Sequence, residues 1–367
     1  MFLALRDIRF AKGRFALMGG VVALISLLLV LLSGLTAGLG NQSTSALAGL
    51  GAPSGRAVDI IAFGAPGAID AKASFTESEA TAAQVQAWAA ADGVASATPL
   101  GISQTRFQGV GETKGTANVA VFGVAPGGGL APGPMADGSA LVPASIAAEL
   151  GLSAGDLATV GGRELRIGAV VEDQWYSHTP VVWTSLADWS ALAHLTDPAQ
   201  VGTVVAVTYD GGAVDTEAAN QSAHTVSTSR TGSFQALGGY KSENGSLLMM
   251  QGFLYGISAL VIVAFLTVWT VQRTRDIAVL KAMGAAPGYL LRDALTQAAL
   301  VLLAGALAGG LVGMVGGFFA AQAAPFLLTP ATVLVPVLGI VALGLAGAAL
   351  AVRRVTRVDP LLALGGS

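Results

Sequence analysis

Four uninterrupted apolar runs constrain this chain more than any other feature. A membrane's hydrocarbon core is about 30 Å thick and takes roughly 20 helical residues to cross. Runs of that length extend from Phe15 to Leu39, Leu247 to Val271, Ala294 to Ala321 and Val333 to Val352. In lipid every backbone N–H and C=O needs an internal partner, so such runs must be helices. None contains Asp, Glu, Lys, Arg or His, which removes any proton relay or ion path built on ionisable groups. The expected fold class is a membrane all-α protein of four transmembrane helices, with a large extracellular α+β domain inserted between helices 1 and 2.

Basic residues set the direction of the spans, because Lys and Arg stay on the cytoplasmic side. Arg6, Arg9, Lys12 and Arg14 precede the first run; Arg273, Arg275, Lys281 and Arg292 fill the connection between the second and third; Arg353, Arg354 and Arg357 follow the fourth. The long polar stretch between the first two runs dilutes its basic residues among a larger number of acids. Both termini and the middle loop are therefore expected in the cytoplasm, and the large domain outside, on a multi-pass protein of the plasma membrane. The expected partition is a cytoplasmic amphipathic segment 1–14, spans at 15–39, 247–271, 294–321 and 333–352, and an external domain with stalk at 40–246. A cytoplasmic loop 272–293, a short external loop 322–332 and a cytoplasmic tail 353–367 complete it. The first run is longer than a cleaved leader's apolar core, and Ser33-Gly34-Leu35-Thr36-Ala37 is only a loose match to a cleavage site, so that span is expected to be retained.

Composition narrows the function. Charged residues make up 11% of the chain and hydrophobic ones 53%, with mean hydropathy +0.67, far from the roughly 25% charged residues of a soluble domain. The absence of cysteine excludes thiolate metal sites, disulfides and cysteine nucleophiles. A net charge of -3 gives no basic face for nucleic acid.

Between the first two spans, short strand-like and helix-like segments alternate. Val58–Phe63, Val94–Phe107, Ala117–Val124, Pro180–Trp183 and Thr203–Tyr209 read as strands. Thr76-Glu77-Ser78-Glu79 has capping-box spacing for a helix closed at Gly93. Pro143 fits the first position of a helix stopped at Gly151, and Gly161-Gly162 is a hairpin signal between Leu157–Val160 and Arg163–Val170. From Val214 to Ser246 the chain is expected to return as helix and linker. No nucleophile elbow or metalloprotease helix occurs, and His178, His194 and His224 lack metal-ligand spacing. The loop Gln174-Trp175-Tyr176-Ser177-His178 either presents aromatics and an imidazole to a planar ligand or simply packs on its own domain. Gly109 to Gly115 lacks the order of a phosphate loop, so ATP must be handled by another polypeptide.

The stretch from Gln272 to Ala285 carries the most information. Ile277, Leu280 and Met283–Gly284 recur with helical spacing, Gly284 fits a C-terminal cap, and Pro287 fits the start of the next helix. A short amphipathic helix here offers an apolar ridge to a groove on a soluble partner or lies on lipid headgroups. At these residues the chain resembles the FtsX-like permease family, the MacB type of ATP-binding cassette transporter. That family places an Arg, an acid, then Leu-Lys-Ala-x-Gly-Ala in the same loop, met here by Arg275, Leu280, Lys281, Ala282, Gly284 and Ala285 with Asp276 in the acidic role. The order of spans is similar too, as is the stretch from Gly138 to Val171. The tail Val358-Asp359-Pro360-Leu361-Leu362-Ala363-Leu364 is similar to the family's closing motif, with Gly365 where that motif has Arg.

The resemblance implies a homodimer bound to two copies of a separate cytoplasmic ATPase, which alone binds ATP and magnesium. The chain itself would catalyse nothing and carry no intrinsic cofactor. It implies that Arg275, Asp276, Ile277, Leu280, Lys281, Met283 and Gly284 form the coupling helix seated in each ATPase, and that the outer ends of the first two spans form a stalk.

Small residues let helices approach closely in lipid, so Gly305, Gly309, Gly313 and Gly317, spaced by four, are the expected packing face of the third span. Gly34 with Gly38 and Gly252 with Gly256 repeat the spacing. At the start of the second span Tyr240, Glu243, Met249, Met250, Phe253 and Tyr255 form an unusual group. Carboxylate or tyrosinate suits ferric iron, and methionine with aromatics suits a flat apolar ring. The chain also looks like the small four-span haem exporters of Gram-positive bacteria. That likeness implies haem as the transported ligand, entering from the outer leaflet with Glu243 on its iron and Tyr240, Met249, Met250 and Phe253 around it, and then squeezed out. Export of a macrolide, antimicrobial peptide or lipoprotein, or non-transporting control of a cell-wall hydrolase, are the alternatives.

Overall fold

The computed structural model describes residues 12–52, 55–67, 69–110, 115–195, 197–272, 279, 283 and 286–356. Four of its helices are long and apolar enough to cross a membrane: Phe15–Ala48, Tyr240–Val268, Arg292–Ala320 and Pro330–Leu350. The full helices are α1 (Lys12–Ala48), α6 (Tyr240–Gln272), α7 (Pro287–Ala320) and α8 (Pro330–Thr356). At 37 residues, α1 is about 55 Å long, well beyond what the hydrocarbon requires, so it runs on past the expected end of its span at Leu39. Pro287 starts α7 with Ala286 as its extended N-cap, where a missing N–H costs nothing. The chain divides into two compact units, one formed by the residues up to Leu39 and from Ser246, the other by Gly40–Gly245.

The helical unit is held by close backbone approach. Its buried centre contains Val22, Leu29, Val30, Leu302, Ala306 and Ile340, and the Ser26 hydroxyl donates to the Ala306 carbonyl across the α1–α7 seam at 2.9 Å. A methyl on Gly305 would stand 2.7 Å from the Gly19 carbonyl and one on Gly313 3.0 Å from Val30; one on Gly309 would overlap the Ala23 backbone. Gly317 faces the Phe326 ring instead, whose Cε1 lies 2.5 Å from where a Cβ would be, and Gly34 packs on the same ring. Leu327 donates its N–H to the Gly34 carbonyl at 3.0 Å, pinning the α7–α8 connection onto α1. Gly252 and Gly256 have open space around them.

The second unit combines two sheets that share one long strand, with a separate small two-stranded sheet beside them. Its elements are β1 (Ile60–Phe63), β2 (Ala80–Thr81), α2 (Ala82–Ala89), β3 (Val94–Gly109), β4 (Thr116–Val124), β5 (Ser139–Pro143) and α3 (Ala144–Leu150). There follow β6 (Leu157–Val160), β7 (Arg163–Val171), β8 (Trp175–Tyr176), β9 (Thr179–Ser185), α4 (Leu186–Leu192), β10 (Gln200–Gly202), β11 (Val204–Tyr209), α5 (Thr216–Ala223) and β12 (Val226–Ser229). The strands run β12-β1-β11-β3-β4-β9-β5-β7-β6, and β6 pairs back onto β3. The first half of β3 pairs with β11, and the second half, from Gly101, pairs with β4. One side is thus a split β-α-β-β-α-β unit of β1, α2, β3, β11, α5 and β12. The other is a ring closed by Phe107 opposite Val160, which leaves no free edge among its members.

Local chemistry explains the elements and three departures from expectation. The α2 capping box is Thr81 with Gln84, each side chain bonding the other's backbone N–H, not the Thr76–Glu79 tetrad, which lies outside any helix. Pro143 is the extended N-cap of α3 rather than its first helical residue, and Gly151 ends that helix at φ 64°. Gly161 and Gly162 are both left-handed, as a two-residue hairpin turn requires. The stretch from Val214 contains a further strand, β12, paired with β1. Val226, Ser227, Thr228 and Ser229 are too polar to announce one. Cores lie on both sides of the shared strand, one around Phe63, Phe122 and Trp183 and another around Phe107, Val160 and Leu165.

Candidate functional site

The most chemically distinctive point of the second unit is a tight hairpin. Trp175 pairs with Pro180 and Tyr176 with Thr179, leaving Ser177 and His178 as the two turn residues at φ 46° and 63°. Both are left-handed without being glycine, which costs of the order of 1 kcal/mol each. The end of α1 offsets that cost. Ser177 donates its N–H to the Ser43 carbonyl at 3.1 Å, His178 to the Gln42 carbonyl at 3.0 Å, and Trp175 to the Ser45 hydroxyl at 2.8 Å.

So held, the His178 Nε2 lies 3.1 Å from the Ser43 hydroxyl and 2.9 Å from Glu243 Oε2. Glu243 sits in the first turn of α6, where a carboxylate also meets the positive end of the helix dipole, and its own N–H bonds the Gly239 carbonyl at 3.0 Å. The side chains of His178 and Glu243 are 41% and 33% exposed, so water reaches the pair. With Nε2–H donated to the carboxylate, Nδ1 keeps the free lone pair, and the second Glu243 oxygen stays open to a ligand. Among the described residues no group of three His, Asp or Glu side chains is placed to hold a bare metal ion.

The other residues singled out from the sequence fall in several places. Tyr240 stacks edge-on against Phe234, with ring centres 6.1 Å apart. Met249, Met250 and Phe253 are exposed on the helical unit, as are Ile257 and Leu260 further along α6. Tyr255 packs against Gly339 of α8. Gly305, Gly309 and Gly313 face α1, and Gly317 faces Phe326. Of the coupling segment, only Met283 and its neighbour Val279 lie among the described residues; both are exposed, and the Met283 N–H bonds the Val279 carbonyl at 3.0 Å. Arg275, Asp276, Ile277, Leu280, Lys281 and Gly284 lie outside them, as does the tail from Val358. His178, one of two open readings of its loop in the sequence, is brought beside Glu243. His194 and His224 are elsewhere, each at positive φ.

Residues 246–360 match the FtsX-like permease C-terminal family. Uncharacterised ABC transporter permeases of Mycobacterium tuberculosis and Mycobacterium bovis are 28% identical over the whole of this chain and 99% of their own length. A putative hemin transport system permease protein, HrtB of Staphylococcus haemolyticus, is 34% identical over 127 residues, which is 35% of this chain and 36% of that one. Among solved structures, the periplasmic region of MacB from Actinobacillus actinomycetemcomitans matches with a TM-score of 0.35 at 11% identity. It covers 51% of this chain and 92% of its own. The extracellular domain of the transporter YknZ from Gram-positive bacteria matches with a TM-score of 0.34 at 12% identity, over 47% of this chain and 98% of its own. The chain is a membrane protein that carries an FtsX-like permease domain. Along its whole length it is similar to ABC transporter permeases.

Proposed function

We propose that this permease exports haem, taken from the outer leaflet, with Glu243 as the iron ligand. The observation that carries the reading is the Glu243 carboxylate held 2.9 Å from the His178 imidazole at the head of α6. An oxygen ligand suits ferric iron, and a hydrogen bond to that ligand orients it and tunes its basicity. The residues that follow on the same helix, Met249, Met250 and Phe253, are exposed and of the kind that packs on a flat apolar ring. The partial likeness to a putative hemin permease supports the same substrate.

On this reading the chain works as a homodimer with two copies of a cytoplasmic ATPase, which supplies all the ATP chemistry. The segment from Arg275 to Gly284 seats in that ATPase, and its movement is carried along α1 and α6 to the external domain. Gly252 and Gly256, open on α6, suit the approach of a second copy. The basic flanks of the spans put both termini inside and the second unit outside.

Hemin titrated into the purified permease in detergent tests the reading. Binding should shift the Soret band, and Glu243→Ala should weaken it by tenfold or more. An unshifted band, or equal binding by Glu243→Ala, would sink haem as the cargo. The neighbouring readings, a different lipophilic substrate or control of a cell-wall hydrolase, would then take its place.

A further inference from the structure

The helical unit contains a cavity of about 400 Å³ that plays no part in the reading above. It is lined by Gly13, Leu17 and Met18 of α1 and by Phe265, Val268 and Gln272 of α6. Both stretches lie at one end of the helix pair, since the span of α1 begins at Phe15 and that of α6 ends at Val268. Gly13 and Gln272 thus stand just beyond the spans, at the level of the membrane surface. At about 1.5 Å per residue, the cavity reaches inward by roughly 8 Å to Met18 and roughly 10 Å to Phe265. It is a slot that opens among headgroups and runs down beside acyl chains.

The lining is open to an occupant. Leu17 and Val268 are 57% and 56% exposed and Phe265 36%, while Met18, at 8%, closes the back as part of the buried cluster that holds Val22 and Leu266. Gly13 keeps the mouth wide, because a methyl there would meet no atom within 4 Å. Charge then selects the occupant. Lys12 and Arg14 stand on either side of Gly13 in the sequence, and Arg6 and Arg9 precede them. No acid occurs between Asp7 and Asp59, and α6 has none after Glu243, so α1 and α6 bring no carboxylate to this end. An apolar slot beneath a basic rim suits a lipid with an anionic headgroup, which juxtamembrane Lys and Arg attract.

We propose that this slot binds one anionic phospholipid of the cytoplasmic leaflet, with an acyl chain along Leu17, Phe265 and Val268 and the phosphate at the level of Lys12 and Arg14. The leaflet rests on the orientation proposed above. The class of lipid rests on the lining and the charge alone and is independent of the haem assignment. Gln272 directly precedes the segment assigned above to the ATPase, so the lipid sits at the root of that coupling.

The test uses the whole permease, stripped of lipid in detergent and titrated with lipid under native mass spectrometry. Dioleoylphosphatidylglycerol should bind at least about tenfold more tightly than dioleoylphosphatidylcholine, which has the same chains without the net charge. Glycerol phosphate, with the charge but no chains, should not displace it. Gly13→Phe and Val268→Trp, each growing into the open slot, should each weaken phosphatidylglycerol at least about tenfold. Leu311→Phe, on an exposed part of α7, should not. Lys12→Gln combined with Arg14→Gln should cut the preference for the charged lipid at least about fivefold, with Arg6 and Arg9 left to hold the orientation. Glu243→Ala should bind lipid as the wild type does, so a failed hemin titration and a failed lipid titration are separate results. Equal binding of the two lipids, displacement by glycerol phosphate, undiminished binding in both filled variants, or an equal loss in Leu311→Phe would each overturn the proposal.

Discussion

His178 Nε2 lies 2.9 Å from Glu243 Oε2 although 65 positions separate them in the chain, and the turn that delivers the imidazole is bound to the backbone of α1. A carboxylate chosen for its place at the head of a helix thus comes with a ring that can orient it.

That pair is partly exposed, and exposed polar pairs of this kind contribute about 0–1 kcal/mol. His178→Asn keeps a residue that tolerates the left-handed turn and removes the imidazole. Its unfolding free energy should therefore change by less than about 1 kcal/mol. Hemin affinity should fall about tenfold, the scale on which a ligand's hydrogen-bond partner acts, less than for Glu243→Ala. Denaturation curves and Soret titrations on the same preparations separate the two effects.

Gly309 has the least room of the four-spaced glycines of α7, since a methyl there would overlap the Ala23 backbone. Backbone cannot swing aside as a side chain can, so α1 and α7 would have to part. Gly309→Ala should destabilise the helical unit by about 1–3 kcal/mol, and Gly309→Leu should abolish recovery of folded permease from detergent. Gly252→Ala, in open space, should be harmless to the unfolding temperature of the same preparation. Its effect belongs to the dimer, read by crosslinking.

Asp188 is 1% exposed and its carboxylate is fully engaged. It accepts the Gly138 N–H at 2.7 Å and the Ser185 hydroxyl at 2.8 Å, and meets Arg163 at 2.9 Å. Removing one side of such a network strands the others, so Asp188→Ala should cost about 3 kcal/mol. Arg163 is half exposed, and Arg163→Ala should cost less than half as much. Chemical denaturation of the two variants orders them, and an equal loss would show that the guanidinium carries the network.

The legible parts of this molecule were those written in local pattern. The four apolar runs needed only length and the absence of charge, and the hairpin at Gly161-Gly162 needed only two residues that accept positive φ. Thr76-Glu77-Ser78-Glu79 misled because capping-box spacing is common, and the real box, Thr81 with Gln84, uses the weaker glutamine variant five residues on. The strand β12 was hidden because its order comes from pairing with β1, not from its own serines and threonines. The His178–Glu243 approach depends on the end of α1, a turn and the start of α6 arriving together, a relation that no window of sequence contains. The one local hint was Ser-His between short pairing dipeptides. The seat of Trp189 is of the same kind. Gly101 and Gly123 read as ordinary strand glycines until the indole is seen lying on them.

Tyr176 gives the domain a pH dependence of known sign. Burial pushes its phenol above the ordinary value near 10, because the tyrosinate would lose its hydration in the core. In the unfolded chain the phenol titrates normally, so above pH 10 the unfolded state gives up a proton that the folded state keeps. Stability is therefore fully present below pH 10 and declines as pH rises past it toward the raised folded value. Between pH 9 and 11 the wild type should lose about 1.4 kcal/mol through this one group. Tyr176→Phe should lack that component, since phenylalanine has no proton to release, while keeping the ring that meets Phe75 and Phe122 edge to face. Denaturant titrations of both proteins at the two pH values isolate the difference. Equal alkaline losses would show that the phenol reaches solvent in the folded protein.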